Sequence, residues 1–118
     1  MIEAVENRMT EMFGFYELDD DGNILYSRVN TGQNTRTTNN QVVGQNFFRE
    51  VAGFENSEDL RQHFRRFLSS RSPADTFRFD CLFGSHTVPA RITLTKGHES
   101  DAEGTAGIVI MDIREAAV

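Results

Sequence analysis

Residues 42–60 read VVGQNFFREVAGFENSEDL, and this stretch holds the two local signals that decide the fold. The adjacent rings of Phe47 and Phe48 follow the letters GQN, which predicts a short helix or turn that buries both phenylalanines. Downstream, Asn56 or Ser57 can cap a helix whose first turn is acidic, as the helix dipole favours. The stretch therefore predicts an aromatic turn joined by a short loop to a regular helix.

The regular helix covers the segment ENSEDLRQHFRRFLSSR, because its apolar residues recur at helical spacing. Arginines towards its end suit the negative pole of the helix dipole, and Pro73 follows the stop. The predicted buried face consists of Leu60, Phe64, Phe67 and Leu68.

Three later segments, DTFRFDCLFG, TVPARITLTKG and GIVIMDIRE, are predicted to be strands. The first two alternate with a period of two, as half-buried strands do, and the third is apolar enough to be central in a sheet. The residues that alternate as the apolar face are Phe77, Phe79, Cys81 and Phe83 in the first segment, and Val88, Ala90, Ile92 and Leu94 in the second.

Residues 14–30, GFYELDDDGNILYSRVN, predict a β-hairpin whose turn lies at DDDGN, where Asp-Gly tolerates a positive φ. Its apolar alternation is supplied by Phe13, Phe15, Ile24 and Tyr26. Residues 28–41 are almost free of apolar side chains and hold four Thr and four Asn. We expect a loop there, with one or two short helical turns held by side-chain to backbone hydrogen bonds.

Residues 2–13, IEAVENRMTEMF, predict an amphipathic helix of about three turns. A helix of that length is marginal alone in water and must dock on a surface. Two interpretations stay open, since the helix can pack on its own domain or pair with a second copy of the chain. We assign residues 1–13 to this helix and residues 14–118 to one domain. The candidates for dimerisation form an a/d stripe of Ile2, Val5, Met9 and Met12.

Charge and cysteine content exclude several classes of function. The 118-residue chain has a formal net charge of −6, which disfavours nucleic acid or an anionic membrane as a partner. A single cysteine excludes an internal disulfide and a multi-thiolate metal site. The polar N-terminus is no signal peptide, and no apolar run is long enough to span a bilayer. These observations predict a cytoplasmic protein.

No motif in the sequence indicates an enzyme or a metal site. No nucleophile, histidine and acid have a recognised spacing, and no glycine-rich phosphate loop is present. The DDDGN turn has three adjacent acids, but an EF-hand needs ligands over about twelve positions that end in Glu. His63, His86 and His98 fall at predicted rim or surface positions. We therefore predict no catalytic residue and no metal.

The predicted order is a helix, two strands, short helices, a longer helix and three strands, which makes an α+β fold. The segment LDDDGNILYSRVN, followed by QVVGQNFFREVAGFENSEDL, closely resembles the photoactive yellow protein family within the PAS superfamily. The resemblance runs without a gap from about Asp19 to about Leu94, and DGNIL, VxGxNFFxxVA and the start of the long helix carry it. It implies the PAS fold, a five-stranded antiparallel sheet with helices on one face, here preceded by an N-terminal amphipathic helix.

The resemblance also implies that the family's photochemistry is lost. The cysteine that holds a hydroxycinnamoyl group as a thioester aligns with Phe54. The tyrosine and glutamate that hydrogen-bond the phenolate align with Ser27 and Thr31, and a covering arginine aligns with Thr37. A supporting threonine is kept as Thr35. Because a phenyl ring forms no thioester, we predict a non-photoactive protein without this cofactor.

The remaining pocket is the candidate ligand site. Pockets for small molecules are mostly apolar with a few placed polar groups, which hydroxyl side chains can supply here. Two interpretations stay open, since the phenylalanines can fill the space or a small aromatic ligand can occupy it. The candidate pocket residues are Ser27, Thr31, Thr35, Phe47, Phe54, Phe79 and Cys81.

Haem is a further alternative ligand. Other PAS domains bind haem through one axial histidine on or near the long helix, and His63 lies on that helix. A neutral imidazole suits iron, although the resemblance places His63 at a solvent-facing position. A flavin is not expected, because no cysteine has the surround that flavin photoreceptors carry.

We interpret the chain as a sensory and protein-interaction module of bacterial signal transduction that acts as a homodimer. PAS domains commonly dimerise through a flanking helix and the outer sheet face, so a change in the domain can alter that pairing and reach an effector. The segment IVIMDIRE resembles the ending that joins many PAS domains to a helical linker and an effector. A module of a longer protein and a free-standing domain both stay open.

Overall fold

The structure, a computed structural model, describes residues 12–30, 36–38, 42–98 and 107–116, with only the backbone given for 36–38. The predicted N-terminal helix, with Ile2, Val5 and Met9, lies outside the described residues, and so do Thr31 and Thr35. In the described part of the chain, no helix is long and apolar enough to cross a membrane.

Six antiparallel strands form one sheet. They are β1 (Gly14–Leu18), β2 (Ile24–Asn30), β3 (Arg36–Thr38), β4 (Ala74–Phe83), β5 (His86–His98) and β6 (Gly107–Glu115). Their order across the sheet is β3-β2-β1-β6-β5-β4, so β6 is central, as its apolar sequence predicts. All five predicted strands are present, and β3 is an additional short strand at the edge.

The loop prediction for residues 28–41 is wrong where β3 pairs with the end of β2. Thr38 lies opposite Arg28, and Arg36 lies opposite Asn30. The segment lacks the apolar alternation that reveals a half-buried strand, so periodicity does not disclose the pairing. Threonine favours extended backbone, which suits a short edge strand.

Among the residues that the structure describes, two helical segments cover one face of the sheet, which confirms the predicted α+β class. A single turn of π-helix over Phe47–Val51, called the π-turn below, buries Phe47 and Phe48 as predicted. Helix α1 spans Ser57–Ser69. Its core-facing residues are the predicted ones: Leu60, Phe64 and Phe67 are buried, and Leu68 packs partly against them.

The hairpin is present, but the buried face of its first strand differs from the prediction. Phe15 is only half-buried and lies on the outer face of the sheet. Phe13 and Ile24, also predicted as apolar positions, are buried. The buried residues of β1 are Gly14, Tyr16 and Leu18.

A β-bulge near the hairpin turn explains the position of Tyr26. Glu17 lies opposite Tyr26 and Tyr16 lies opposite Ser27, with the register shift between Glu17 and the end of β1. The extra residue turns Tyr26 outward and Ser27 into the core, where Ser27 is fully buried. On the outer face, the rings of Phe15 and Tyr26 meet edge to face with centroids 6.4 Å apart.

The later strands follow the predicted alternation. In β4, Cys81 is fully buried, while Phe77, Phe79 and Phe83 pack partly against the core because β4 is an edge strand. The buried residues of β5 and β6 are Val88, Ala90, Ile92, Leu94, Val109, Met111 and Ile113.

The turn between β1 and β2 is joined to the π-turn by Asn46, a buried polar residue. Its side-chain NH₂ donates to the carbonyl oxygen of Asp21 at 2.8 Å and to Oδ1 of Asn23 at 3.2 Å. Its Oδ1 accepts from the backbone N–H groups of Phe48 at 3.1 Å and Arg49 at 3.2 Å, which caps the π-turn. One amide side chain thus supplies hydrogen-bond partners to polar groups of both turns. These four bonds are called the Asn46 lock below.

Packing reinforces this junction next to Asn46. The backbone N–H of Phe47 donates to the carbonyl oxygen of Gly22 at 2.9 Å. Gly22 has a φ of +89°, and a Cβ there would lie 2.6 Å from the ring of Phe48. The DGN and NFF segments therefore pack against each other as one unit. Gly22 lies where the two segments approach most closely, and the position admits only glycine.

We expect Asn46→Ala to lower the free energy of unfolding by about 2–4 kcal/mol, because it removes a cap and leaves buried backbone groups unpaired. Urea denaturation at neutral pH measures this loss. Gln62→Ala, at an exposed position of α1, is the control and should change the free energy by less than about 0.5 kcal/mol. A loss no larger than that of the control would contradict the role given to Asn46.

Candidate functional site

The predicted pocket residues with described side chains all lie in or against the core. Ser27, Phe47 and Cys81 are fully buried, Phe54 is 3% exposed and Phe79 is half-buried. Their ring contacts fall into two groups, one around Phe54 and one around Phe47. The structure therefore brings Phe54 and Phe79 together, but it distributes the predicted site over two aromatic clusters.

Phe54 packs on the core face of β4. Its ring centroid lies 5.8 Å from that of Phe79 and 6.0 Å from that of Phe83, in tilted and edge-to-face arrangements. Cys81 lies between these two phenylalanines on the same face of the strand. We call Phe54, Phe79 and Phe83 the Phe54 group, and Phe54 is a core residue within it.

Glu55 and Asn56 fasten the loop before α1 to the free edge of β4. The side-chain NH₂ of Asn56 donates to the carbonyl oxygen of Asp80 at 2.8 Å, and its Oδ1 accepts from the N–H of Leu82 at 3.1 Å. The N–H of Glu55 donates to the carbonyl oxygen of Leu82 at 2.7 Å, while its carboxylate accepts from the N–H of Gly84 at 2.9 Å. These bonds, called the loop clamp below, fix the backbone next to the Phe54 ring.

The loop clamp changes the predicted role of Asn56. Asn56 stands at the N-cap position of α1, but its side chain makes no capping bond because β4 engages both of its polar atoms. The residues it joins are 24 to 26 positions apart. Sequence reasoning missed Glu55 and Asn56 as site residues because no local pattern reports a contact over that separation.

The Phe47 group lies beneath the Asn46 lock and consists of Tyr16, Phe47, Phe48 and Phe64. Successive ring centroids are 4.8, 5.4 and 5.1 Å apart. The hydroxyl of Tyr16 donates to the carbonyl oxygen of Met12, and burial raises the pKa of this phenol above its ordinary range. The sequence does not disclose Tyr16, because the predicted alternation puts Phe15 rather than Tyr16 at the apolar position of β1.

Met12, the last residue of the predicted dimerisation stripe, packs in its own domain. Its side chain is 8% exposed and joins the hydrophobic core. Its carbonyl oxygen also accepts the Tyr16 hydroxyl. Met12 is therefore occupied within its own domain, and the other stripe residues, Ile2, Val5 and Met9, lie outside the described residues.

The single cysteine is a buried thiol. Burial, with a smaller contribution from the charge of Asp80, raises the pKa of Cys81 from its ordinary value of 9.0 to about 12. The thiol is therefore neutral at physiological pH, and only a thiolate is a good nucleophile or metal ligand. Cys81 acts as a small apolar residue, as its place on the strand predicts.

His63 bridges α1 and β4. Its Nε2 lies 2.9 Å from a carboxylate oxygen of Asp75, and its ring stacks on Phe77 with centroids 3.6 Å apart. The side chain is 28% exposed. An iron bound through Nε2 would have to displace the carboxylate of Asp75. Haem binding through His63 therefore stays a prediction, and it requires that the contact with Asp75 be broken.

The acidic turn has a structural use. One carboxylate oxygen of Asp19 accepts from the backbone N–H groups of Asp21 and Asn23, and the other accepts from the side chain of Asn23. The carboxylates of Asp19, Asp20 and Asp21 lie within 4.8 Å of one another. These hydrogen bonds give the carboxylate of Asp19 a structural role in the turn that requires no metal ion.

Comparison with solved structures defines the class of this domain. The PAS domain of Bordetella pertussis BvgS matches with a TM-score of 0.60 at 9% identity, over 99% of this chain and 88% of that chain. The photoactive yellow protein domain of the sensor histidine kinase Ppr from Rhodospirillum centenum matches with a TM-score of 0.59 at 22% identity, over 86% of this chain and 84% of that chain. The fold is that of a PAS domain.

Sequence comparison identifies the family within the PAS class. Photoactive yellow protein from Rhodothalassium salexigens is 31% identical over 97 residues, a match that covers 75% of this chain and 76% of that protein. No family model matches the chain. The chain belongs to the photoactive yellow protein family, and it does so without the reactive cysteine, since its one cysteine is the buried Cys81.

We expect Phe54→Ala to lower the free energy of unfolding by about 3–5 kcal/mol, because it removes a buried ring and leaves a cavity. Phe54→Leu keeps most of the volume and should cost about 1–2 kcal/mol. Leu82→Ala, at an exposed position of β4, is the control and should cost less than about 1 kcal/mol. Chemical denaturation of the three variants measures these losses, and a small loss for Phe54→Ala would indicate that the ring borders open space.

The raised pKa of Cys81 predicts a loss of stability in alkali. Above pH 9 the thiol ionises in the unfolded chain but stays protonated in the native one up to about pH 12. The free energy of unfolding should therefore fall as pH rises through this window, with Tyr16 acting in the same direction. In Cys81→Ala the decline, measured by urea unfolding between pH 8 and 11, should be shallower, and equal slopes would contradict this assignment.

Proposed function

We propose that this chain is a non-photoactive PAS module of bacterial signal transduction. It acts through protein–protein contacts as a homodimer and passes conformational change to an effector, without catalysis. The observation that carries the proposal is Phe54, a core ring at the position where the family resemblance puts the chromophore cysteine. The Asn46 lock also holds together the hairpin turn and the π-turn, on which the PAS scaffold depends.

The surroundings of Phe54 support a loss of the whole chromophore site. Ser27, aligned with the family's tyrosine, is buried and lies opposite Tyr16 in the hairpin. A phenolate held there would lack the carboxylic acid that the family uses, since Thr31 has that position in the sequence. Cys81 does not replace the missing thiolate in the described core, because burial keeps its thiol neutral.

The ends of the sheet support a relay. Gly14 at the start of β1 pairs with Ile113 near the end of β6. The chain therefore enters β1 and leaves β6 at neighbouring points of the sheet. A change in the packing of one segment can bias the other, and an attached effector can read that bias. The sensor histidine kinase that carries a similar domain is one example of such an attachment.

The outer face of the sheet supports a dimer. Four half-buried apolar residues lie there on neighbouring strands, and the stripe residues Ile2, Val5 and Met9 precede β1 directly in the sequence. Apolar patches of this kind mark interaction surfaces in soluble domains. The outer-face residues are Phe15, Tyr26, Ile108 and Ile110.

Sedimentation velocity over a range of protein concentrations tests the dimer. The wild-type chain should sediment as two chains, and Met9→Glu should raise the dimer dissociation constant by about tenfold or more, because it puts a charge in the apolar stripe. Thr10→Glu adds the same charge next to the stripe and should leave the constant unchanged. The proposed dimer would be contradicted if the protein sediments as one chain at high micromolar concentration and Met9→Glu does not change this.

A ligand sensor that uses haem or a small aromatic molecule is the alternative function. The absorption spectrum of the purified protein, before and after haem is added, separates the two. A Soret band that His63→Ala abolishes would favour the haem sensor. A spectrum that haem leaves unchanged apart from free haem would remove it.

A further inference from the structure

A groove of about 420 Å³ lies on the surface between the β1–β2 turn, the π-turn and α1. The β1–β2 turn lines it with Asp20 and Asp21, called the acidic wall below, and two other elements line it with arginines, called the arginine wall. Leu68 also lines the groove. The arginines are Arg49 of the π-turn and Arg61 and Arg65 of α1, and we call this feature the charged groove.

The opposite charges of the charged groove do not neutralise one another directly. The ion pairs of the described residues join Arg61 to Glu58, His63 to Asp75 and Arg114 to Asp112, so none of them crosses the groove. The carboxylates of Asp20 and Asp21 and the guanidinium groups of the groove are therefore left to interact with a ligand.

Arg49 and Arg65 are the free cations of the arginine wall. Neither guanidinium has a hydrogen bond or an ion pair among the described residues, whereas Arg61 is held by Glu58 at 2.9 Å. Arg61 and Arg65 are four residues apart on α1, a spacing at which like charges face each other and repel. An anion between the arginines would relieve that repulsion and use their unfilled donors.

The backbones that form the walls are held in place by contacts already described. The Asn46 lock ties the carbonyl of Asp21 to the π-turn. The rings of Phe48 and Phe64, 5.1 Å apart, hold the π-turn against α1. Preorganised walls lower the cost of binding, because little ordering remains for the ligand to induce.

We propose that the charged groove binds a small zwitterion, a molecule with an oxyanion at one end and an ammonium group at the other. The guanidinium groups of Arg49 and Arg65 take the phosphate or carboxylate, for which their planar donors are suited. The carboxylates of Asp20 and Asp21 take the ammonium group, and the carbon linker rests on Leu68. The volume lies in the range of small-molecule sites. The site is separate from the Phe54 group and does not depend on the function proposed above.

NMR titration of the whole ¹⁵N-labelled chain at low salt tests the site with four probes. O-phosphoethanolamine carries both charges, inorganic phosphate only the anion and ethanolamine only the cation, while 4-aminobutyrate replaces phosphate by carboxylate. We expect saturable shifts in residues of the groove, and a dissociation constant for O-phosphoethanolamine about tenfold below that for phosphate. The two zwitterions together show whether the arginine wall prefers phosphate to carboxylate.

Three variants assign the two walls. Arg65→Gln should raise the dissociation constants of O-phosphoethanolamine and phosphate by about tenfold, since both use the arginine wall. Asp21→Asn should remove the advantage of O-phosphoethanolamine over phosphate and leave phosphate binding intact. Arg78→Gln, an exposed arginine on the outer sheet face, is the control and should change neither constant.

The proposal is overturned if O-phosphoethanolamine and phosphate bind equally, or if the shifts rise linearly without saturation. It is also overturned if Asp21→Asn leaves the preference for the zwitterion unchanged. The substituted side chains are exposed and make no side-chain hydrogen bond in the described structure, so the variants should fold. Binding in the groove is independent of the dimer, so a monomeric chain would leave this test intact.

Discussion

The fold depends on one buried amide that serves two turns at once. Asn46 bonds residues of the hairpin turn 23 to 25 positions earlier in the chain, and it caps the π-turn that follows it directly. A π-helical turn is rare and too short to hold itself, so its shape comes from this cap and from the packed ring of Phe48 over Gly22. The hairpin, the π-turn and α1 are positioned relative to one another through this junction, and the charged groove lies between them.

Two separate aromatic groups build the core beneath the helical segments. The Phe47 group packs under the Asn46 lock and anchors α1 through Phe64. The Phe54 group packs on β4 and is fixed from outside by the loop clamp. Phe54 therefore serves the scaffold, because it adds buried apolar area at a site whose backbone is fixed by these hydrogen bonds.

Local periodicity predicts α1 and the three C-terminal strands, because each buries residues at a regular spacing, and the Asp-Gly turn predicts the hairpin. Local periodicity was not enough for three features. The bulge that turns Ser27 inward depends on how the hairpin turn closes, β3 forms by backbone pairing of a polar segment, and the loop clamp joins residues far apart in sequence. The resemblance predicted Ser27 and Phe54 as pocket candidates, and both are buried in the core. The contacts of Tyr16, Glu55 and Asn56 depend on the positions of the strands, which no local pattern reports.

The loop clamp also bears on edge-to-edge pairing of the sheet with another chain. β4 is an edge strand, and its outward-facing backbone groups would template a strand from another chain. Glu55 and Asn56 cover those groups at Leu82 and Gly84, and the inward charge of Asp75 blunts the other half of the edge. The loop clamp therefore has a second role, since the bonds that hold the loop before α1 also cover part of the edge of the sheet.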